Sequence, residues 1–201
     1  MALQKKCEAL QIRTEIADAA LARISQKENC YAAVVFDKYE RELLKERPHM
    51  VLHQPSDMGN VGSILRTCLG FGMLDIGIIC PAADIFHPRV VRASMGAMFS
   101  LRIRTYDSFD AYRADNPERM LYPFMLDGAT ALQALAPDIE KPYTLIFGNE
   151  ATGLPASFAE MGQPVRIAHS AQIDSLNLAV AVSIAAYQFS VYAEGPQIGE
   201  K

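Results

Sequence analysis

Three stretches of the 201-residue chain carry polar residues at spacings that could do chemistry: the turn from Asn60 to Arg66, the loop from Gly148 to Leu154, and the run from Ala168 to Asn177. Together they present Asn60, Arg66, Asn149, Glu150, Ser175 and Asn177 among small residues, with almost no conventional base. Such a set suits holding a polar small molecule through backbone amides while orienting a second substrate. Other chemistries lack their residues. There is no G-x-x-x-x-G-K-[ST] for a nucleoside triphosphate, no G-x-G-x-x-G after a first strand, and no G-x-S-x-G for a serine hydrolase. His49, His53, His87 and His169 show no metal-ligand spacing, so no metal is expected, and each alone reads as structural or exposed. His169 is the one that lies in a candidate loop. Cys7, Cys30, Cys68 and Cys80 have no C-x-x-C spacing and read as reduced thiols.

The elements that must position these loops can be read from hydrophobic periodicity. Tyr143–Phe147 is an apolar run of β-formers that stops at Gly148, shows Asn149 and Glu150, and turns on Gly153. It predicts a buried strand feeding a ligand loop. Asn60 predicts an N-cap, with Ile64, Leu65, Cys68 and Leu69 on the apolar face of the following helix and Arg66 on a different face. Further strands are expected at Tyr31–Phe36, Met50–His53, Leu74–Cys80, Phe99–Thr105, Met120–Leu126 and Pro164–Ala168. Helices are expected at Gln4–Gln26, Asp37–Lys45, His87–Ser94, Asp107–Arg113, Gly128–Leu135 and Asp174–Tyr192, the last with Ile173, Leu176, Val180, Ile184 and Tyr187 on its core face. Strands alternating with helices predict an α/β fold, a mostly parallel sheet with helices on both faces.

The composition is that of an ordinary globular domain, 50% hydrophobic and 21% charged. Charge or proline interrupts every apolar run before it could span a membrane, and the N-terminus has no apolar leader region, so the expected location is the cytoplasm. The net charge of -4 is uneven: residues 1–50 carry nine basic and eight acidic side chains, residues 51–201 ten basic and fifteen acidic. Yet Ile85–Tyr106 holds Arg89, Arg92, Arg102 and Arg104 with no acidic residue. That segment reads either as a local phosphate-binding patch or as four solvated arginines on a sheet edge.

Asn60-Val-Gly-Ser-Ile-Leu-Arg66-Thr, Phe147-Gly-Asn-Glu150-Ala-Thr-Gly153-Leu and Ser175-Leu-Asn177-Leu-Ala-Val-Ala181 resemble, in order and spacing, the three motifs of the SpoU (TrmH-like) branch of the SPOUT RNA methyltransferases. Arg92-Ala-Ser94-Met-Gly96-Ala97 is similar to the family's intermediate S-x-G-A element. The resemblance covers about residues 50–192. It implies a C-terminal trefoil knot, S-adenosylmethionine as cofactor, a homodimer with its site near the subunit interface, and methylation of a ribose 2'-hydroxyl in tRNA or rRNA. Residues 1–49 become an N-terminal extension of helix, strand and helix, residues 50–194 the methyltransferase domain, and 195–201 a loose tail.

Carried over by position, Arg66, Asn60, Glu150, Ser175 and Asn177 are the catalytic set. Gly148, Ile167 and Leu176, with Ile146, Asn149 and Asn177, hold the cofactor, and Asn60, Arg66, Arg89 and Arg92 meet the RNA. Arg66 activates the hydroxyl electrostatically, with a neighbouring phosphate accepting the proton, because a guanidinium stays charged. Glu150 organises the site rather than serving as its base. The sequence departs from the pattern at Ala168, where the motif has proline, and at Ala171, where it has glycine. The added methyl at Ala171 would narrow the cofactor pocket or restrict a turn with φ > 0. The rival reading is a knotted RNA-binding or assembly protein with weak or no activity, favoured by Ala171 and the acidic balance. A third is a methyltransferase acting on a small molecule or a protein.

Overall fold

Runs of four or five residues that carry apolar side chains are too short for stable helices, so they pair. In the computed structural model, which describes residues 2–24, 30–128 and 130–194, they form His49–His53 (β1), Asp75–Ile79 (β2), Arg102–Tyr106 (β3), Met120–Pro123 (β4) and, after the two-residue Thr130–Ala131 (β5), Tyr143–Phe147 (β6). All pairings in the main sheet are parallel, in the order β3-β2-β1-β6-β4. Val165–Arg166 (β7) pairs in parallel with β5. Side chains alternate between the two faces. Met50, Leu52, Ile76, Ile78 and Leu145 enter one core, and Val51, Ile79 and Ile146 enter the other. Each fully buried branched side chain of this kind contributes about 2 kcal/mol.

Met58–Gly70 (α3), Pro88–Ala93 (α4) and Leu178–Glu194 (α6) cover the first face, and Phe109–Asp115 (α5) covers the second together with Phe158. The expected parallel α/β sheet with helices on both faces is therefore present. Chain contacts divide the molecule at residues 38 and 39. The first unit holds Ala2–Ala9 (α1) and Asp18–Ile24 (α2), and the second holds the sheet.

The N-terminal helix expected over Gln4–Gln26 is two short helices, separated where Gln11 adopts φ 55; residues 25 and 26 lie outside the described residues, as do 195–201 and residue 129. The expected strand at Tyr31–Phe36 and helix from Asp37 to Lys45 do not form, since residues 30–44 carry no regular element. From Tyr39 onward the chain lies extended along the open edge of β3. Arg41 N donates to Ile103 O (3.2 Å), Thr105 Oγ1 donates to Glu40, Arg104 pairs with Glu42, and Leu44 N donates to Asp75 Oδ1 (2.9 Å). The edge strand's unpaired groups outbid local helix propensity, which a residue-by-residue reading does not register. Phe99–Leu101 belongs to a tight turn rather than to β3, and Gly128–Leu135 is β5 followed by a turn at Leu132–Ala134 rather than a helix. The strand expected at Pro164–Ala168 shortens to β7.

The last helix, α6, buries a different face from the one expected. It starts at Leu178, and its buried face is Leu178, Val182, Ala185, Ala186 and Phe189, whereas Ile173, Val180, Ile184 and Tyr187 are exposed. A helix apolar around most of its circumference gives periodicity no polar face to exclude, so either stripe can be taken for the core.

A directional hydrogen-bond chain anchors the segment ending at Leu44 to the start of the sheet. His49 Nε2 donates to Leu44 O (3.0 Å), so in the neutral ring Nδ1 accepts from Tyr112 Oη (2.9 Å). Tyr112 Oη then accepts from Thr144 Oγ1 (2.8 Å), which in turn accepts from Arg119 Nε (2.8 Å). Burial, reinforced by the Arg119 charge, pushes the His49 imidazole from 6.5 down to about 4. Because the unfolded chain takes up this proton first, stability is lost as pH falls from 6.5 toward about 4. The loss is about 3 kcal/mol in full and about 2 kcal/mol by pH 5. Urea midpoints should fall markedly between pH 7 and pH 5 and far less in H49Q. A wild-type midpoint indifferent to pH over that range would refute the assignment.

Candidate functional site

The site is assembled at the carboxyl ends of β1 and β6, where open parallel sheets place their ligands. Asp57, not Asn60, caps α3: its carboxylate accepts from Asn60 N at 2.7 Å. With Asp57 as the cap, the Asn60 side chain is free for other partners in the first turn of the helix. Its Nδ2 donates to Glu150 Oε1 (3.2 Å) and its Oδ1 accepts from Asn177 Nδ2 (3.0 Å). Asn177 Oδ1 accepts from Ala179 N (2.9 Å) and Val180 N (3.3 Å) and so caps α6. One residue from each of the three motifs is thus joined in a single chain of hydrogen bonds.

Glu150 is the hub. Besides Asn60 it accepts from Ser56 N (2.9 Å), Ser56 Oγ (2.8 Å) and Asp57 N (3.0 Å). Partial burial alone would raise its carboxyl, but these donors favour the charged form and bring it down to about 2. A carboxylate so saturated holds the entrance of α3 and is a poor proton acceptor.

The neighbouring Asn149 closes the loop on itself. Its Nδ2 donates to Gln54 O (2.8 Å), its Oδ1 accepts from Ala151 N (2.8 Å), and its main chain exchanges two hydrogen bonds with Gly153, which has φ 67. The fold-back brings main chain directly over Gly148. A Cβ there would lie 2.1 Å from Gly153 C and 2.3 Å from Leu154 N.

Beside this loop lies a cavity of about 450 Å³, walled by Phe124–Asp127 after β4, Phe147–Leu154 after β6, and Val165, Ile167, His169, Ser175 and Leu176. Phe124 stacks on Phe147 at 4.4 Å in its floor. Of the residues expected at the site, Gly148, Asn149, Glu150, Ile167, Ser175 and Leu176 line the cavity. At its border Asn60 is bound to Glu150, and Asn177 to Asn60. Ile146 is buried on the opposite sheet face with Val51 and Tyr112 and does not line it. Ala171 is exposed, is absent from the lining, and is not among the positive-φ residues. Its methyl therefore neither narrows the cavity nor strains a turn, contrary to the expectation.

Arg66 is exposed on α3, with no hydrogen-bond or ion-pair partner among the described residues. The basic segment divides. Arg102 is held bidentately by the buried Asp75 (2.6 Å to each oxygen), and Arg104 by Glu42 and Asp115. Arg89 and Arg92 stay exposed on α4. That helix packs tightly on α3 at Gly62, where a Cβ would stand 2.4 Å from Ala93 Cβ. Sequence reasoning missed Ser56, Asp57 and Gln54. Aspartate three residues before Asn60 was a legible cap signal, but nothing in the sequence announces the φ of 56 at Gln54. Among the described residues no helix is long and apolar enough to cross a membrane, and no cluster of His, Cys, Asp and Glu could hold a metal.

Comparison with known proteins extends this picture. Residues 47–187 match the model of the SpoU rRNA Methylase family. An uncharacterized tRNA/rRNA methyltransferase of Synechocystis is 30% identical over 183 residues, covering 85% of this chain and 63% of that protein, so the chain spans somewhat under two thirds of this relative. A putative tRNA (cytidine(34)-2'-O)-methyltransferase of Listeria monocytogenes is 30% identical over 144 residues, 70% of this chain and 85% of its own. Among solved structures, one described in terms of 2-OH methylation of C/U34 on tRNA superimposes with a TM-score of 0.69 at 28% identity, covering 76% of this chain and 99% of its own. The AdoMet-bound rRNA methyltransferase of Sinorhizobium meliloti does so with a TM-score of 0.66 at 28% identity, covering 76% and 58%. With the family match spanning most of the sheet and all three motif loops, the chain belongs to the SpoU rRNA methylase family.

Proposed function

We propose that the protein transfers a methyl group from S-adenosylmethionine to a ribose 2'-hydroxyl of tRNA or rRNA. The observation that carries this reading is the hydrogen-bonded junction of Glu150, Asn60 and Asn177 at the border of a cavity whose size suits a nucleoside-type ligand, about 300–1,000 Å³ being usual. The residues fit the cofactor: Gly148 lets main chain fold back on main chain and so shapes one wall of the cavity, and Ile167 and Leu176 add apolar walls. Gly148, Ile167 and Leu176 would hold it, with Asn149 shaping the loop and Ile146 supporting it from behind. When bound, S-adenosylmethionine supplies an already activated methyl group, so alignment of the hydroxyl is the protein's main task.

Arg66 polarises the hydroxyl as a permanent cation, while Asn60, Glu150, Ser175 and Asn177 orient the ribose. Arg89 and Arg92, one helical turn apart on α4, take backbone phosphates. The alternative of an inactive binding protein leaned on Ala171, whose methyl lies outside the cavity. Relatives named for position 34 of tRNA make tRNA the first RNA class to test. Incubating total RNA from a strain lacking the protein with labelled methyl donor should place label in 2'-O-methylnucleosides. Calorimetric binding of the cofactor without any labelled RNA would overturn the reading.

The C-terminal trefoil knot, the homodimer and a cytoplasmic location belong to the same proposal. The homodimer is supported by the exposed stripe Val180, Ile184 and Tyr187 on α6, continued by Phe71, whose ring meets Tyr187 edge-on at 5.9 Å. I184D should sediment as a monomer, and a wild type that is itself monomeric at micromolar concentration would eliminate the dimer.

A further inference from the structure

Methylating a hydroxyl releases a proton, and something must take it. We propose that His169 is the proton acceptor, its Nε2 receiving the proton of the ribose 2'-hydroxyl; this rests on the methyltransferase reading above. The O–H bond breaks toward Nε2, and the oxygen keeps the pair and forms the new O–C bond. The carbon's old bond to the sulfonium sulfur of the donor breaks, its electrons returning to sulfur as a neutral thioether.

The geometry supports this in two steps. His169 lines the cavity on the same loop as Ile167 and Ser175, and that loop is tied to the start of α3 by the Asn177–Asn60 hydrogen bond (3.0 Å). Its Nδ1 lies 2.9 Å from Ile167 O. A carbonyl oxygen has no proton to give, so Nδ1 is the donor, and the neutral ring keeps its lone pair on Nε2. That bond also fixes the ring, as the second nitrogen of a catalytic histidine usually requires.

The remaining groups are poor acceptors. Arg66 is permanently protonated. Glu150 already accepts four hydrogen bonds and is held down to about 2. Asp127 also lines the cavity, but it stands on the segment after β4 and not on the loop that Asn177 ties to Asn60. Ser175 offers only a hydroxyl. An imidazole is the one side chain in this wall suited to both accept and later release a proton near neutrality.

The test combines a structural and a kinetic measurement on the full chain. A long-range proton–nitrogen spectrum of the histidines should show His169 as the Nδ1–H tautomer. H169A removes one hydrogen bond on an exposed loop, and should lower kcat about 100-fold or more while leaving cofactor affinity by calorimetry unchanged. Added imidazole should restore part of the rate in H169A but not in R66A, and the acid limb of the pH–rate profile should disappear in H169Q. An Nε2–H tautomer, wild-type turnover in H169A, or a loss that imidazole does not restore would each overturn the proposal. If the parent protein labels no RNA, the methyltransferase reading and this role fall together. An active parent with an equally active H169A removes only the role of His169 and returns the proton to a phosphate of the RNA.

Discussion

Gly148→Ala should weaken binding of S-adenosylmethionine about tenfold to a hundredfold, read by calorimetry, and should lower the melting temperature as well. The added Cβ would fall 2.1 Å from Gly153 C, 2.3 Å from Leu154 N and 2.4 Å from Gly153 O. All three are main-chain atoms, so no rotamer change can make room. The loop must open, which breaks the paired hydrogen bonds between Asn149 and Gly153. Overpacking of this kind costs about 1–3 kcal/mol, and each 1.4 kcal/mol charged to the binding-competent loop is about a factor of ten in affinity. Asn149 and Glu150 are adjacent, so the displacement should also loosen the four hydrogen bonds that position Ser56, Asp57 and Asn60. A G148A protein that binds the cofactor as tightly as the parent would show that the loop does not form the wall of the binding site.

Arg66→Ala should behave in the opposite way, leaving cofactor affinity near normal while turnover falls about 100- to 1,000-fold. Arg66 is exposed on α3 and does not line the cavity, so nothing in cofactor binding depends on it directly. Its contribution is a fixed positive charge and a planar fork of donors for the ribose or its flanking phosphate. Lysine should recover little of the loss, since an ammonium cannot reproduce the fork. Single-turnover rates at saturating cofactor and RNA separate this from weaker substrate binding. Undiminished turnover in R66A would remove Arg66 from the chemistry.

The residues most visible in the sequence were those whose local pattern and spatial role coincide. Tyr143–Phe147 is apolar because it is a central strand buried on both faces, and the glycines after it are there because main chain folds over main chain. The motif loops were legible for the same reason, and their junction at Glu150 follows from β1 and β6 being neighbours.

The misreadings fall where distant parts of the chain decide. Tyr39–Leu44 looks helical by itself and is drawn out by the edge of β3, some sixty residues further on. The two stripes of α6 are chemically alike, so only packing against α3 determines which one is buried. Asn60 is a good cap by type, but Asp57 takes that place because Asn60 is claimed by Glu150 and Asn177. The sequence places His169 in a loop but does not show the hydrogen bond of its Nδ1 to Ile167 O, which forms only in three dimensions.

The strand order β3-β2-β1-β6-β4 also constrains how the molecule is made. During synthesis β1 can pair with β2 as soon as both have left the ribosome, but its other edge waits for β6, whose Thr144 is the partner of His49. β4 is made in the interval and has no neighbour in the main sheet until the same strand arrives. The nascent chain therefore carries one open, apolar edge from β1 until β6 is made, and a second from β4 until the same strand arrives. One five-residue strand then closes both, so β6 completes the sheet in the same stroke that brings Gly148 and Glu150 to the start of α3.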